Sequence, residues 1–231
     1  MRPPPATFRS RDRVEVTRKR LIQAAEKIFA RDGFEAARLE DIAAEAGYTR
    51  GAFYANFDSK EDLFLALLER EISARIGTVE NRMARLRDPD AKLRALRQVF
   101  INLWQDRRWS LLSMEFKLFA VRHPEAKARL AAMNRRFAAS RVGVLKEVME
   151  ASGRKLPASA GAVARSLSVV ANALALEHML DRAVMSEGDL RNILATYFDG
   201  LTGVLHAAEG ETTGNGSSLR KRRINVRSSI H

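Results

Sequence analysis

The stretch AEAGYTRGAFYANFDSKEDLF, residues 44–64, joins two amphipathic helical patterns with more chemistry than a connection needs. Gly47 ends one helix, and Thr49 has the side chain that accepts a free backbone N–H at the start of the next. That next helix is short, about Thr49 to Asn56. Ser59-Lys-Glu-Asp62 then reads as a capping box opening a long helix. Helix, glycine turn, short helix is the helix-turn-helix layout, whose second helix suits the major groove of DNA.

The pattern extends on both sides. Leu21, Ala24, Ala25, Ile28 and Phe29 form an amphipathic stripe that Gly33 stops, and Leu39, Ile42, Ala43 and Ala46 mark a second helix. Leu21, Ile28, Phe29, Leu39, Ile42, Phe53 and Phe57 supply a small shared core. With Phe53 and Phe57 turned inward, Tyr54 is left to face outward. Arg50 offers a two-pronged fork to guanine N7 and O6. Gly51 and Ala52 permit close backbone approach. Thr49, Tyr54, Asn56 and Lys60 donate hydrogen bonds to phosphate, and a helix start favours phosphate as well.

Further helices follow. Leu63, Phe64, Leu67 and Leu68 begin the inner stripe of the long helix from Ser59, expected to run to about Arg87. Asp88-Pro89, Asp106, Pro124 and Ser186 open later ones, and a helix of about 25 residues follows the loop at 152–159. No period-two strand pattern occurs. The expectation is an all-α chain of about nine helices. It divides as a disordered basic arm (1–12), a three-helix helix-turn-helix domain (13–58), a helical effector-binding and dimerisation domain (59–206) and a flexible basic tail (207–231).

The formal charge of +12 is uneven. Residues 1–20 carry +5 and residues 211–231 carry +4, leaving +3 for the 190 residues between. Such ends suit nucleic acid or simply a solvated tail. The chain has no cysteine, hence no disulfide or thiolate site. The first residues lack the apolar core of a signal peptide, and no apolar run reaches membrane length. A cytoplasmic protein with no membrane partner is expected. The four histidines show no metal spacing, no nucleophile–base pair or phosphate-cradling glycine loop appears, and neither cofactor, metal nor enzymatic activity is expected.

Between residues 89 and 151 the aromatic residues Phe100, Trp104, Trp109, Phe116, Phe119 and Phe137 fit either a helical core or the walls of a cavity. The last two helices are apolar on more than one face. Leu167, Val170, Leu174, Phe198 and Leu201 are read as a two-fold interface.

Residues 17–68, through AAEKIFARDGF (24–34), IAAEAG (42–47) and RGAFYANFDSKEDLF (50–64), resemble the DNA-binding domain of the TetR family of bacterial transcriptional regulators. Beyond residue 70 the likeness is one of helix number and length. The resemblance implies a homodimer on a pseudo-palindromic operator in double-stranded DNA. It implies a repressor released by a small apolar or amphipathic effector, with the aromatic residues named above as its pocket. It implies phosphate contacts for Tyr54 and Lys60, and base reading by Arg50, Gly51 and Ala52. The chain departs from the family at Ala37-Arg38, where a hydroxyl cap is common, so Arg38 is expected to meet phosphate. It departs again at Ala55, where a larger residue is common. Two alternatives are a nonspecific nucleic-acid binder working through its basic ends and a helical protein-interaction module.

Overall fold

A computed structural model describes residues 6–203, with side chains from residue 12 onward. The reading of the segment 207–231 as a basic tail, and that of residues 1–5 as part of an arm, lie outside the described residues. Within them the chain is all helical, with nine α-helices and one 3-10 turn and no strand.

Helix α1 (Ala6–Ala36) begins earlier than expected. The segment from residue 6 to 12 is its first turns rather than a disordered arm. No glycine or proline interrupts the sequence from Ala6 to Asp32, so nothing stops the helix once the prolines end. Gly33 breaks its regularity with φ +79° and ψ 171°, a conformation essentially restricted to glycine. The chain then turns into α2 (Leu39–Glu45) and α3 (Arg50–Tyr54). Helix α4 (Lys60–Ala84) stops short of Arg87, because the chain leaves it for Asp88, which caps α5 (Pro89–Ile101) through the backbone N–H groups of Asp90 and Ala91. The 3-10 turn Leu103–Gln105 precedes α6 (Arg107–Arg122). The remaining helices are α7 (Pro124–Ala151), α8 (Ala160–Leu180) and α9 (Glu187–Thr202).

Two buried clusters hold the fold together. The first contains Leu21, Ile28, Phe29, Ile42, Phe53 and Phe57, as the sequence suggested, and continues without a break into Leu63–Leu68 of α4, Phe116 of α6 and Met133 of α7. The second packs α5, α8 and α9 around Phe100, Leu190, Leu194 and Phe198, with Leu145 and Val148 of α7. The first core crosses residue 58, where the boundary between the two domains was expected. No helix among the described residues is long and apolar enough to cross a membrane.

Candidate nucleic-acid interface and cavity

Helix α3 owes its orientation to how its neighbours end. Gly47, at φ +76°, closes α2 with its N–H donating to the Ala44 carbonyl, and the Tyr48 N–H reaches back to Ala43. The Thr49 hydroxyl oxygen accepts the Ala52 N–H at 3.3 Å. Its own proton stays available for an outside acceptor. Phe53 and Phe57 are buried, with 0% and 1% exposure, while Tyr54 is 46% exposed. Periodicity over these residues therefore identified the outward face correctly. Arg38, Thr49, Arg50 and Gly51 are exposed on the same end of the molecule, and Ala52 is half-buried.

The polar atoms on that face differ in availability. Arg50 forms an ion pair with Glu40 at 2.9 Å, and its guanidinium also donates to the Tyr54 hydroxyl at 3.4 Å. Both partners of the ion pair are largely exposed. So exposed a pair is largely screened by solvent, and it orients Arg50 without locking it. Arg38 starts α2 without any side-chain cap bond, as the missing hydroxyl implied.

Asn56 and Lys60, both expected to face phosphate, are half-buried and have acceptors within the protein. The Asn56 amide donates to the Ala52 carbonyl at 2.8 Å, and its Oδ1 is buried without a partner. Lys60 donates to the Glu35 and Ala37 carbonyls at 2.8 and 3.2 Å and lies 4.9 Å from the centre of the Phe34 ring. Burial holds its ammonium below the usual lysine range, with Glu61 and Glu35 acting in the opposite direction. The reason is topological: α4 starts beside the carbonyls left open where α1 ends, and a lysine at that start satisfies them.

Sequence reasoning missed two other contacts. Arg18 places its guanidinium 4.1 Å from the Phe57 ring centre and donates to the Asn56 carbonyl at 2.7 Å, pinning the end of α3 to α1. Running the α1 stripe back one turn from Leu21 and Ile22 puts Thr17 and Arg18 on the inward face, so a signal existed. The second contact had none. The Glu115 carboxylate of α6 accepts the Phe34 N–H at 2.7 Å, beside Gly33. It ties the second half of the chain to the corner from which α2 departs.

The second half encloses a cavity of about 280 Å³. Ile72 and Ile76 of α4, Leu96 of α5, Met133 and Val144 of α7 and Leu167 of α8 give it apolar walls. Of the six aromatic residues assigned to a pocket, Phe100 and Trp109 line it. The other four do not. Phe116 and Phe119 pack on Phe34 at 5.4 and 4.8 Å, Phe137 lies against the first core, and Trp104 meets His178 edge-on at 5.3 Å. Aromatic density marked the right region, but which way each ring turns depends on helix rotation that sequence does not specify.

Three cations line the cavity, and no carboxylate does. Arg75 is compensated by Asp106 at 2.5 Å and lies over the Trp109 ring. Lys117 and Arg141 have no carboxylate partner among the described residues. Burial, reinforced by the charge of Arg141, keeps Lys117 below the usual lysine range. Arg141 is lowered by burial and by Arg165. Lys117 is also exposed to solvent, whereas Arg141 is half-buried.

Two of the residues expected at an interface on α8 and α9 lie inside the chain. Leu167 and Phe198 are 8% and 0% exposed, and both face the cavity within the chain. Val170, Leu174 and Leu201 are half-buried against the second core. The apolar residues on the outer face are Val169 and Leu180 of α8, at 62% and 71% exposure, and Ile193 of α9, at 41%. A helix apolar all round does not announce which side its own core will take.

A short outward helix on a closed three-helix core, continued into a helical body with a cavity, defines a helix-turn-helix protein. The family model for bacterial regulatory proteins, tetR family, matches residues 21–67. That match takes in α2, α3 and the adjoining parts of α1 and α4. It is 31% identical over 153 residues to the HTH-type transcriptional repressor NicS of Pseudomonas putida, covering 60% of this chain and 64% of NicS. The match to the HTH-type regulator YerO of Bacillus subtilis, at 38% identity, covers 28% of this chain and 22% of YerO. The chain thus spans less than two thirds of these curated relatives. Among solved structures, the regulator FadR of Bacillus subtilis in complex with stearoyl-CoA superposes with a TM-score of 0.62 at 17% identity, over 80% of this chain and 97% of FadR. At that identity the likeness is one of fold. The named relatives are transcriptional regulators, and the family is not one of enzymes.

Proposed function

We propose that the chain is a dimeric DNA-binding transcriptional regulator of the cytoplasm, a repressor released from its operator by a small apolar or amphipathic ligand. The observation that carries this reading is the division of α3: Phe53 is sealed inside while Thr49, Arg50, Gly51 and Tyr54 stand outside on a rigid support. Arg38 extends the same face. Arg50 reads a base edge, and the hydroxyls of Thr49 and Tyr54 donate to phosphate. Lys60 acts chiefly by holding the ends of α1 and α4 together. Asn56 likewise supports α3 from behind.

The exposed apolar stripe of Val169, Ala173 and Leu180 with Ile193 favours a four-helix contact between two copies of α8 and α9. Gly200 lies on that side with open space where a side chain would be, which lets a partner helix approach closely. Two heads held this way meet half-sites one helical turn, or a multiple of it, apart. A ligand with different affinity for two arrangements of the body shifts the population between them. Helices α4 and α6 both border the cavity and both pack on the reading head, so they carry the change.

Selection of duplexes from a random pool tests the reading. Enrichment of a pseudo-palindrome is expected, with two chains per duplex in sedimentation. Arg50→Ala should then weaken binding by about 1–3 kcal/mol, mainly at one base position in each half-site. A pool that yields no common sequence, or a selected site bound by one chain alone, would overturn the proposal.

A further inference from the structure

We infer that the cavity accepts a small amphipathic anion, with an apolar body along the aliphatic walls and a carboxylate-like head between Lys117 and Arg141. This rests on the reading of the cavity as the effector site and names the class of effector. The charges decide it. Arg75 already has Asp106, whereas Lys117 and Arg141 have no carboxylate, and none lines the cavity. Both side chains line the same cavity, and the charge of Arg141 bears on Lys117. Like charges gathered in a largely apolar enclosure are unfavourable until a counter-charge joins them. An anionic head group relieves both at once, through charge-assisted hydrogen bonds. A quaternary ammonium would meet two cations instead, and a neutral amphiphile would leave them uncompensated.

Size narrows the class. About 280 Å³ lies just below the usual range for ligand sites, roughly 300–1,000 Å³. It suits a short-chain or single-ring acid. Position gives the head group a consequence. Lys117 is on α6, two residues beyond Glu115, whose carboxylate holds the Phe34 N–H at the corner of the reading head. A ligand that draws Lys117 inward therefore acts on the helix that braces that corner.

The test uses the full chain with hexanoate, octanoate and 3-phenylpropanoate, each beside its alcohol, and with octyltrimethylammonium. Binding is read from Trp109 fluorescence and from melting temperature, and release of selected duplex is measured in parallel. At least one acid is expected to bind about tenfold or more tighter than its alcohol, the scale of hydrogen bonds to charged groups. The quaternary ammonium should not compete. Lys117→Met and Arg141→Met should each bring the acid and alcohol affinities together by weakening binding of the acid. Unliganded Lys117→Met should melt no lower than the parent, which separates loss of head-group binding from loss of fold. Alcohols binding as tightly as acids, no acid binding at all, or an unchanged preference in both variants would each overturn the inference. Tight acid binding without release of DNA supports the ligand class and overturns the effector reading. Release by the alcohols but not the acids does the reverse.

Discussion

Phe116→Ala is expected to lower the free energy of unfolding by about 3–5 kcal/mol, as for other fully buried aromatic residues cut to alanine. Phe116 is 0% exposed and stacks on Phe64 at 4.6 Å while meeting Phe34 at 5.4 Å. Those rings belong to α4 and to the end of α1, so one side chain of the second half fills the core of the reading head. The truncation leaves a cavity that the surrounding helices cannot close without shifting. Urea unfolding followed by circular dichroism and by tryptophan fluorescence measures the loss. Because the first core crosses residue 58, both probes should still report one transition. Two separated transitions would show that the halves are independent, against the continuity of this core. Operator affinity should fall further than stability alone implies, because the same rings set the angle between the head and α6. Phe137→Ala, at a half-buried ring on the edge of the cluster, is the milder control.

Arg97→Met should cost about 2–4 kcal/mol, below the full value for a buried pair because the guanidinium is about a third exposed. Arg97 of α5 makes two parallel bonds to Asp199 of α9, at 2.7 and 2.8 Å, and Asp199 is 7% exposed. Most of the loss comes from leaving that carboxylate without its partner. The double change Arg97→Met with Asp199→Leu should recover most of the stability, since it removes the stranded charge. Thermal melting of the two variants measures the difference. Asp199 belongs to the helix that carries Ile193, so sedimentation of Arg97→Met should also show weaker self-association. Unaltered melting in Arg97→Met would mean that the bond pair contributes nothing net.

The helices were legible because their signals are local. A hydroxyl or carboxylate at the start, a glycine or proline at the end and a repeat of apolar residues between them act within a few residues. Ser59, Asp88 and Ser186 cap the helices they were expected to cap. The outward face of α3 was legible for the same reason, since two buried phenylalanines four residues apart fix its rotation. The protein partners of Lys60 and Asn56, at the end of α1 and the carbonyl of Ala52, were not legible, because they offer acceptors to the same donors that phosphate would use. Sequence does not say which acceptor is nearer. The early start of α1 was misread because basic residues near a terminus are equally at home in a helix and in a tail.

The residues alone therefore determined an all-helical chain with a helix-turn-helix near its start and the identity of the side chains α3 shows to solvent. Only the packed structure decided that Phe116 and Phe119 complete the reading head instead of a pocket, that Leu167 and Phe198 face inward, and that Lys117 and Arg141 meet across a space without a carboxylate. Helix formation depends on neighbours three and four residues apart, whereas these outcomes depend on how whole helices rotate and stack, which is settled by contacts between residues far apart in the chain.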